Sequence, residues 1–188
     1  MLPILWKTFR LRAVIAALVL ILIVGSGRIL RADADGEYEV KAAFLYKFVN
    51  FVEWPPESKD QVLCIGIIGE DPFGGALDLA VKGKPINGRE FSIQRFKPGR
   101  EVTGCQIVFI SASEKKRVRS ILDQLEGISI LTVSEVPGFC EAGGMVNFEL
   151  LNERVRFEIN PEAAERVRLK LSSKLLNVAK VVREAKPQ

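Results

Sequence analysis

The groups in this chain that could do chemistry are carboxylates and three thiols, because it contains no histidine. Without an imidazole, Ser–His and Cys–His nucleophilic machinery, histidine-ligated metals and a histidine general base are excluded. Cys64, Cys105 and Cys140 form no CxxC and no zinc-ligand spacing. The close carboxylates are Glu37 with Glu39 and Glu70 with Asp71. Acid–base work by such a pair needs two environments that split the pKa values. Nothing in the flanking residues supplies that asymmetry, so solvated or helix-capping roles suit them better. Gly69, Gly74 and Gly75 stand where a phosphate loop would, between an apolar run and a helical one. Their spacing fits neither the dinucleotide nor the P-loop pattern. Glu70 and Asp71 would also put carboxylates where the phosphate belongs. The expectation is therefore no catalytic residue, no cofactor and no metal site. A carboxylate-dependent hydrolase is the weakest reading that survives.

The elements that must carry these residues alternate between strand and helix. Residues 37–53 are apolar around most of a helical wheel, with only Lys47, Asn50 and Glu53 gathered into a polar stripe. A helix this apolar packs against a sheet or a partner, and Trp54-Pro55-Pro56 ends it. Residues 62–68, 105–110 and 129–133 are short, continuous apolar runs, the pattern of strands buried on both faces of a parallel sheet. Asp71 and Pro72 predict a helix to Val81. Asn87-Gly88 predicts a turn, and alternation predicts a strand over 91–96. Ser111 or Ser113 caps a helix over 114–125 that Gly127 ends. Residues 145–150 and 154–159 read as a hairpin, Pro161 opens a helix to about Lys170, and 174–184 reads as a further helical stretch. The pattern predicts a single-domain α/β sandwich, with a mixed, largely parallel central sheet flanked by helices.

The first 34 residues read differently. Lys7, Arg10 and Arg12 precede an uncharged stretch over 13–27 whose apolar heart is 13–24, and Ala32-Asp33-Ala34 offers a cleavage site. This is the pattern of a secretory signal. As a helix the 15-residue stretch would span about 22 Å, against roughly 30 Å of bilayer hydrocarbon. An uncleaved N-terminal anchor remains the alternative, since 25–34 is long for a cleavage region and carries Arg28 and Arg31. The expected division is a signal peptide or anchor over 1–34 and one domain over 35–188. Without the leader's five basic residues and one acid, the domain keeps 22 of each sign and no net charge. The basic balance of the whole chain therefore gives no ground for nucleic-acid binding. Lys115-Lys116-Arg117 reads as a solvated helix face.

Six segments, in order, resemble the YfiR family of exported bacterial proteins. They are residues 41–55 (KAAFLYKFVNFVEWP), 65–73 (IGIIGEDPF), 107–111 (IVFIS), 130–135 (ILTVSE), 143–148 (GGMVNF) and 171–176 (LSSKLL). The resemblance spans nearly the whole domain. It implies a non-enzymatic periplasmic protein that represses an inner-membrane diguanylate cyclase by binding its periplasmic sensor region. The implied partner is thus the periplasmic region of an inner-membrane signalling protein, and the membrane is touched only through an uncleaved leader.

The resemblance also implies two disulfides. Cys64 and Cys105 match one pair, and the alternative is two reduced thiols packed as small hydrophobes. Cys140 matches the first member of the second pair, but its partner position holds Asn147. Cys140 is then an unpaired thiol that could bridge a homodimer, accept another thiol or lie buried. Contacts with a partner are expected on the exposed edge of the first helix and on the loop over 137–144. A second hypothesis is a periplasmic small-ligand carrier using the carboxyl ends of the strands, at 69–73, 111–113 and 134–136.

Overall fold

The computed structural model describes residues 36–56, 62–97 and 102–184. The expected leader over 1–34 and its expected cleavage site lie outside the described residues. The described chain forms an α1 helix over 36–48 and a short β1 (Val52–Glu53). Then come β2 (Val62–Ile68), α2 (Ala76–Val81), β3 (Glu90–Phe96) and β4 (Ile107–Ile110). A 3-10 segment (Ala112–Arg117) leads into α3 (Val118–Gln124), followed by β5 (Leu131–Ser134), β6 (Val146–Leu151) and β7 (Arg154–Ile159). The chain continues through α4 (Pro161–Arg166), β8 (Lys170–Leu171), α5 (Ser173–Leu176) and β9 (Lys180–Val181).

Among the described residues seven strands make one sheet in the order β3-β2-β4-β5-β6-β7-β9, while β1 pairs only with β8. Every neighbouring pair in the large sheet is parallel except β6 with β7. The mixed, mostly parallel α/β sheet is the architecture read from the sequence. Alternation divides the buried side chains between two faces. Ile65, Ile67, Ile107, Phe109, Leu131, Val133, Val146 and Phe148 meet α1, α2 and α4 on the first face. Cys64, Ile68, Val108 and Ile110 meet α3 on the second. Gly66 points to that second face, where a Cβ would lie 2.8 Å from the Phe96 ring, so the missing side chain is what seats the phenylalanine.

The borders differ from expectation for identifiable reasons. The first helix ends at 48 rather than 53, because residues 52 and 53 pair with Leu171 and Lys170. Asp71 does not cap a helix; its Oδ1 accepts from the Phe73 amide, and Gly74 at φ 55 delays α2 to Ala76. Ser111 does cap, accepting from the Ser113 amide, but the first turns are 3-10. Two turns behave as read: Asn87-Gly88 and Asn152-Glu153 both place two successive residues at positive φ, the two-residue hairpin geometry. The expected helix over 174–184 is overturned. Only α5 forms, capped by Ser172, and the chain then extends as β9 along the free edge of β7.

Candidate interaction face and its disulfide

Cys64 is the third residue of β2 and Cys105 lies two residues before β4, whose strands run side by side in parallel. The structure joins them in a disulfide with Cα atoms 4.3 Å apart. Hydrogen bonds flank it: Gln106 donates its amide to the Cys64 carbonyl at 3.0 Å, and the Cys64 amide donates to Gln106 Oε1 at 2.7 Å. Both cysteines and the glutamine are buried. This corner is structural staple rather than reactive surface.

The carboxyl edge between β2 and β4 is a topological switch point, since the chain leaves β2 toward β3 and returns on its other side as β4. Open α/β sheets use such crevices for ligands. Here the crevice is filled from within. The Glu70 amide donates to Ser113 Oγ at 3.0 Å, and Gly69, at φ 92, leaves room for Ser113 and Glu114 that a Cβ would remove. Asp71 and Asp78 hold Arg95 at 2.7 and 2.8 Å, and these carboxylates raise the guanidinium's pKa. Asp71 is thus engaged with Arg95 and the Phe73 amide, and the Glu70 main chain with Ser113. Among the described residues no cluster of three metal-ligating side chains occurs.

The connection from β5 to β6 is the unusual part of the fold. Residues 135–145 cross without an α-helix and lie against the second face, so their backbone groups need partners that helix hydrogen bonds do not supply. Buried side chains provide them. Ser134 Oγ donates to the Ile110 carbonyl at 2.7 Å and accepts from the Val136 amide at 3.2 Å. Thr132 Oγ1 accepts from the Met145 amide at 3.1 Å. Asn160 caps α4 through Oδ1 and donates Nδ2 to the Cys140 carbonyl at 3.0 Å. The Asn147 amide, turned so that its nitrogen faces two carbonyls, donates to Ser134 at 3.3 Å and to Val136 at 3.1 Å. Phe139 is fully buried, and Gly144 packs so closely on its ring that a Cβ would lie 2.2 Å away.

Cys140 is fully buried within this loop, its thiol facing the Met145 carbonyl at 3.7 Å. Burial pushes its pKa up to about 12, with the charges of Glu158 and Glu141 acting in the same direction. The folded domain thus does not offer Cys140 to a second copy. What the loop does expose is Pro137, Gly138 and Glu141.

One pair ties this loop to α1. Lys41 Nζ lies 2.6 Å from Glu135 Oε2, with side chains 4% and 10% exposed, and Tyr38 donates its hydroxyl to Oε1 at 3.2 Å. Lys41 falls on the helix face of Leu45 and Phe48, and that position was the available signal: a lysine on an apolar stripe needs a carboxylate. Sequence reading grouped only Lys47, Asn50 and Glu53, which are indeed exposed. Next to the pair, Glu39 and Val40 face solvent.

A family model described as YfiR/HmsC-like matches residues 38–180, from the first turns of α1 to the first residue of β9. The chain belongs to that family. YfiR/HmsC-like proteins are periplasmic regulators of cyclic di-GMP signalling rather than catalysts. In this YfiR/HmsC-like domain the disulfide staples β2 to β4, while hydrogen bonds, the Lys41–Glu135 ion pair and the packing of Val136 and Phe139 hold the β5–β6 loop. Among the described residues no helix is long and apolar enough to cross a membrane.

Proposed function

We propose that this protein is exported and that it binds and restrains the sensor region of an inner-membrane diguanylate cyclase. Its contact surface is the exposed tip of the β5–β6 loop together with the first turns of α1. The observation that carries the reading is the family match across every element from α1 to β9. The basic, apolar and small-residue pattern over 1–34 supports export. The mechanism is a population shift: the repressor holds the inactive sensor only as far as it binds that state more tightly. A hundredfold preference corresponds to about 2.7 kcal/mol, within reach of one modest interface.

A rigid platform suits this task, because a preformed surface spends little binding energy on ordering itself. Here Pro137, Gly138 and Glu141 project from a loop whose buried half is hydrogen-bonded to β5, to β6 and to the cap of α4. The ion pair of Lys41 with Glu135 keeps Val40 and Glu39 beside it. The test is deletion of the gene with measurement of cellular cyclic di-GMP, alongside in-cell crosslinking from position 138. A rise in cyclic di-GMP and recovery of a membrane cyclase are expected. Unchanged nucleotide levels with no membrane sensor crosslinked would remove the assignment.

A further inference from the structure

Because the β5–β6 connection carries no helix, the layer beside α3 is incomplete. A cavity of about 550 Å³ opens there between α3, the 142–145 stretch and α4. Its apolar wall includes Leu122, Leu125, Met145 and Val167. Its polar end is built by two arginines from different helices that meet on one carboxylate. Arg166 Nη2 lies 2.8 Å from Glu184 Oε2, and Arg119 Nη1 lies 3.9 Å from Glu184 Oε1. Arg119 is aimed by two further contacts, to Asp123 at 3.3 Å and to the Ala142 carbonyl at 3.2 Å. Gly143, at φ 100, brings main chain against the same carboxylate, where a Cβ would sit 3.3 Å from Glu184 Oε1.

We propose that this cavity is a binding site for a small organic monocarboxylate, and that Glu184 occupies it as an internal stand-in for the ligand. Guanidinium pairs recognise carboxylates through directed charge-assisted hydrogen bonds. Glu184 comes from the segment after β9, so its carboxylate can leave without disturbing a sheet or helix. The departing carboxylate frees both arginines for an incoming one, and the ligand's apolar body then lies along Leu122 and Met145. Asp123 and Glu126 on the rim disfavour a second negative charge, which selects monocarboxylates over dicarboxylates. The volume falls within the range of small-molecule sites.

The cavity borders the loop tip at Ala142, next to Glu141, but its test uses the purified chain and does not depend on the cyclase. Octanoate is titrated into the purified full chain by calorimetry, with 1-octanol as the uncharged control. Glu184→Gln removes the competitor and should tighten octanoate binding at least about tenfold, since the competent state no longer has to be populated against the latch. Adding Arg166→Gln to that variant should abolish binding, and octanol should not saturate. Amide resonances of Gly143, Met145 and Val167 should shift with octanoate in the wild-type protein, a readout that holds whatever the variants do. Equal affinity with and without Glu184, saturation by octanol, or shifts confined elsewhere would overturn the proposal.

Discussion

Opening the bridge between Cys64 and Cys105 should lower stability by an amount calculable from its place in the chain. The two cysteines are 41 residues apart. The loop they close contains α2, the edge strand β3 and most of β2, and among the described residues β3 pairs with nothing but β2. Releasing a loop of that length restores conformational freedom mainly to the unfolded chain, worth about 4 kcal/mol at 25 °C on the chain-entropy estimate. The folded state changes little on reduction, because both thiols stay buried among apolar neighbours. For a domain of this size the loss corresponds to a fall in Tm of about 8–16 °C.

The assay is urea unfolding followed by circular dichroism, oxidised and reduced, in a Cys140→Ala background that prevents thiol exchange. The midpoint should fall and the slope should rise on reduction, since an uncrosslinked unfolded ensemble exposes more surface. The Cys64→Ala/Cys105→Ala variant should be less stable than the reduced protein, because truncating two packed side chains adds cavities at about 1 kcal/mol or more in total. Superimposable curves with and without reductant would refute the reasoning. So would two titratable thiols in the denatured, unreduced Cys140→Ala protein.

Lys41→Met should cost about 3–5 kcal/mol by leaving the Glu135 carboxylate buried beside an apolar helix, whereas Lys41→Met/Glu135→Leu should recover most of that loss. A double-mutant cycle in urea measures the coupling, and additive losses would mean the pair does not act as one unit. Gly69→Ala should destabilise by about 1–3 kcal/mol or more, since φ is 92 and the new Cβ would lie 2.5 Å from Ser113 Oγ; thermal melting reads it, and a wild-type Tm would contradict the crowding. Cys140 should resist iodoacetamide at pH 8 in the folded protein and react once unfolded, and quantitative labelling of the native state would show the thiol is not buried. Its pKa is raised from 9.0, so the stability it contributes is complete below about pH 9 and falls as pH climbs toward 12. Cys140→Ala should therefore flatten the alkaline loss of stability across that window, measured by urea midpoints at stepped pH.

The sheet was legible because its signals are local. Residues 62–68, 107–110 and 131–133 are apolar at every position but Gly66 and Thr132, which only a doubly covered strand tolerates. Asn87-Gly88 carries the preference of its turn. The borders failed where a distant partner outvoted local preference. Residues 52–53 leave the helix to meet 170–171, and Lys180-Val181 extends because β7 has a vacant edge and Glu158 accepts a hydrogen bond from Lys180 at 2.6 Å. Arg168 ends the α4 region at φ 61, a left-handed position that a glycine would have announced and an arginine hides. Least visible were Thr132, Ser134, Asn147 and Asn160, polar residues whose partners lie well away in the chain. In a linear reading they weaken a strand or mark a turn; folded, they are the reason the β5–β6 loop has a shape.

That loop bears on how the protein can be controlled. The resemblance implies a disulfide from Cys140 to the position seven residues later, and here that position is an asparagine. Asn147 does not leave the loop loose. Its nitrogen spans the carbonyls of Ser134 and Val136 at the loop's start, while Asn160 holds the Cys140 carbonyl further along. Each of these hydrogen bonds is worth about 1 kcal/mol net, yet breaking one inside the fold strands a buried group at about 1–3 kcal/mol. The loop is therefore ordered by contacts that no reductant can open. The existing disulfide joins β2 to β4, strands that this loop does not connect. Oxidation state should thus set how stable the domain is, and leave the presentation of Pro137, Gly138 and Glu141 unchanged for as long as the domain stays folded.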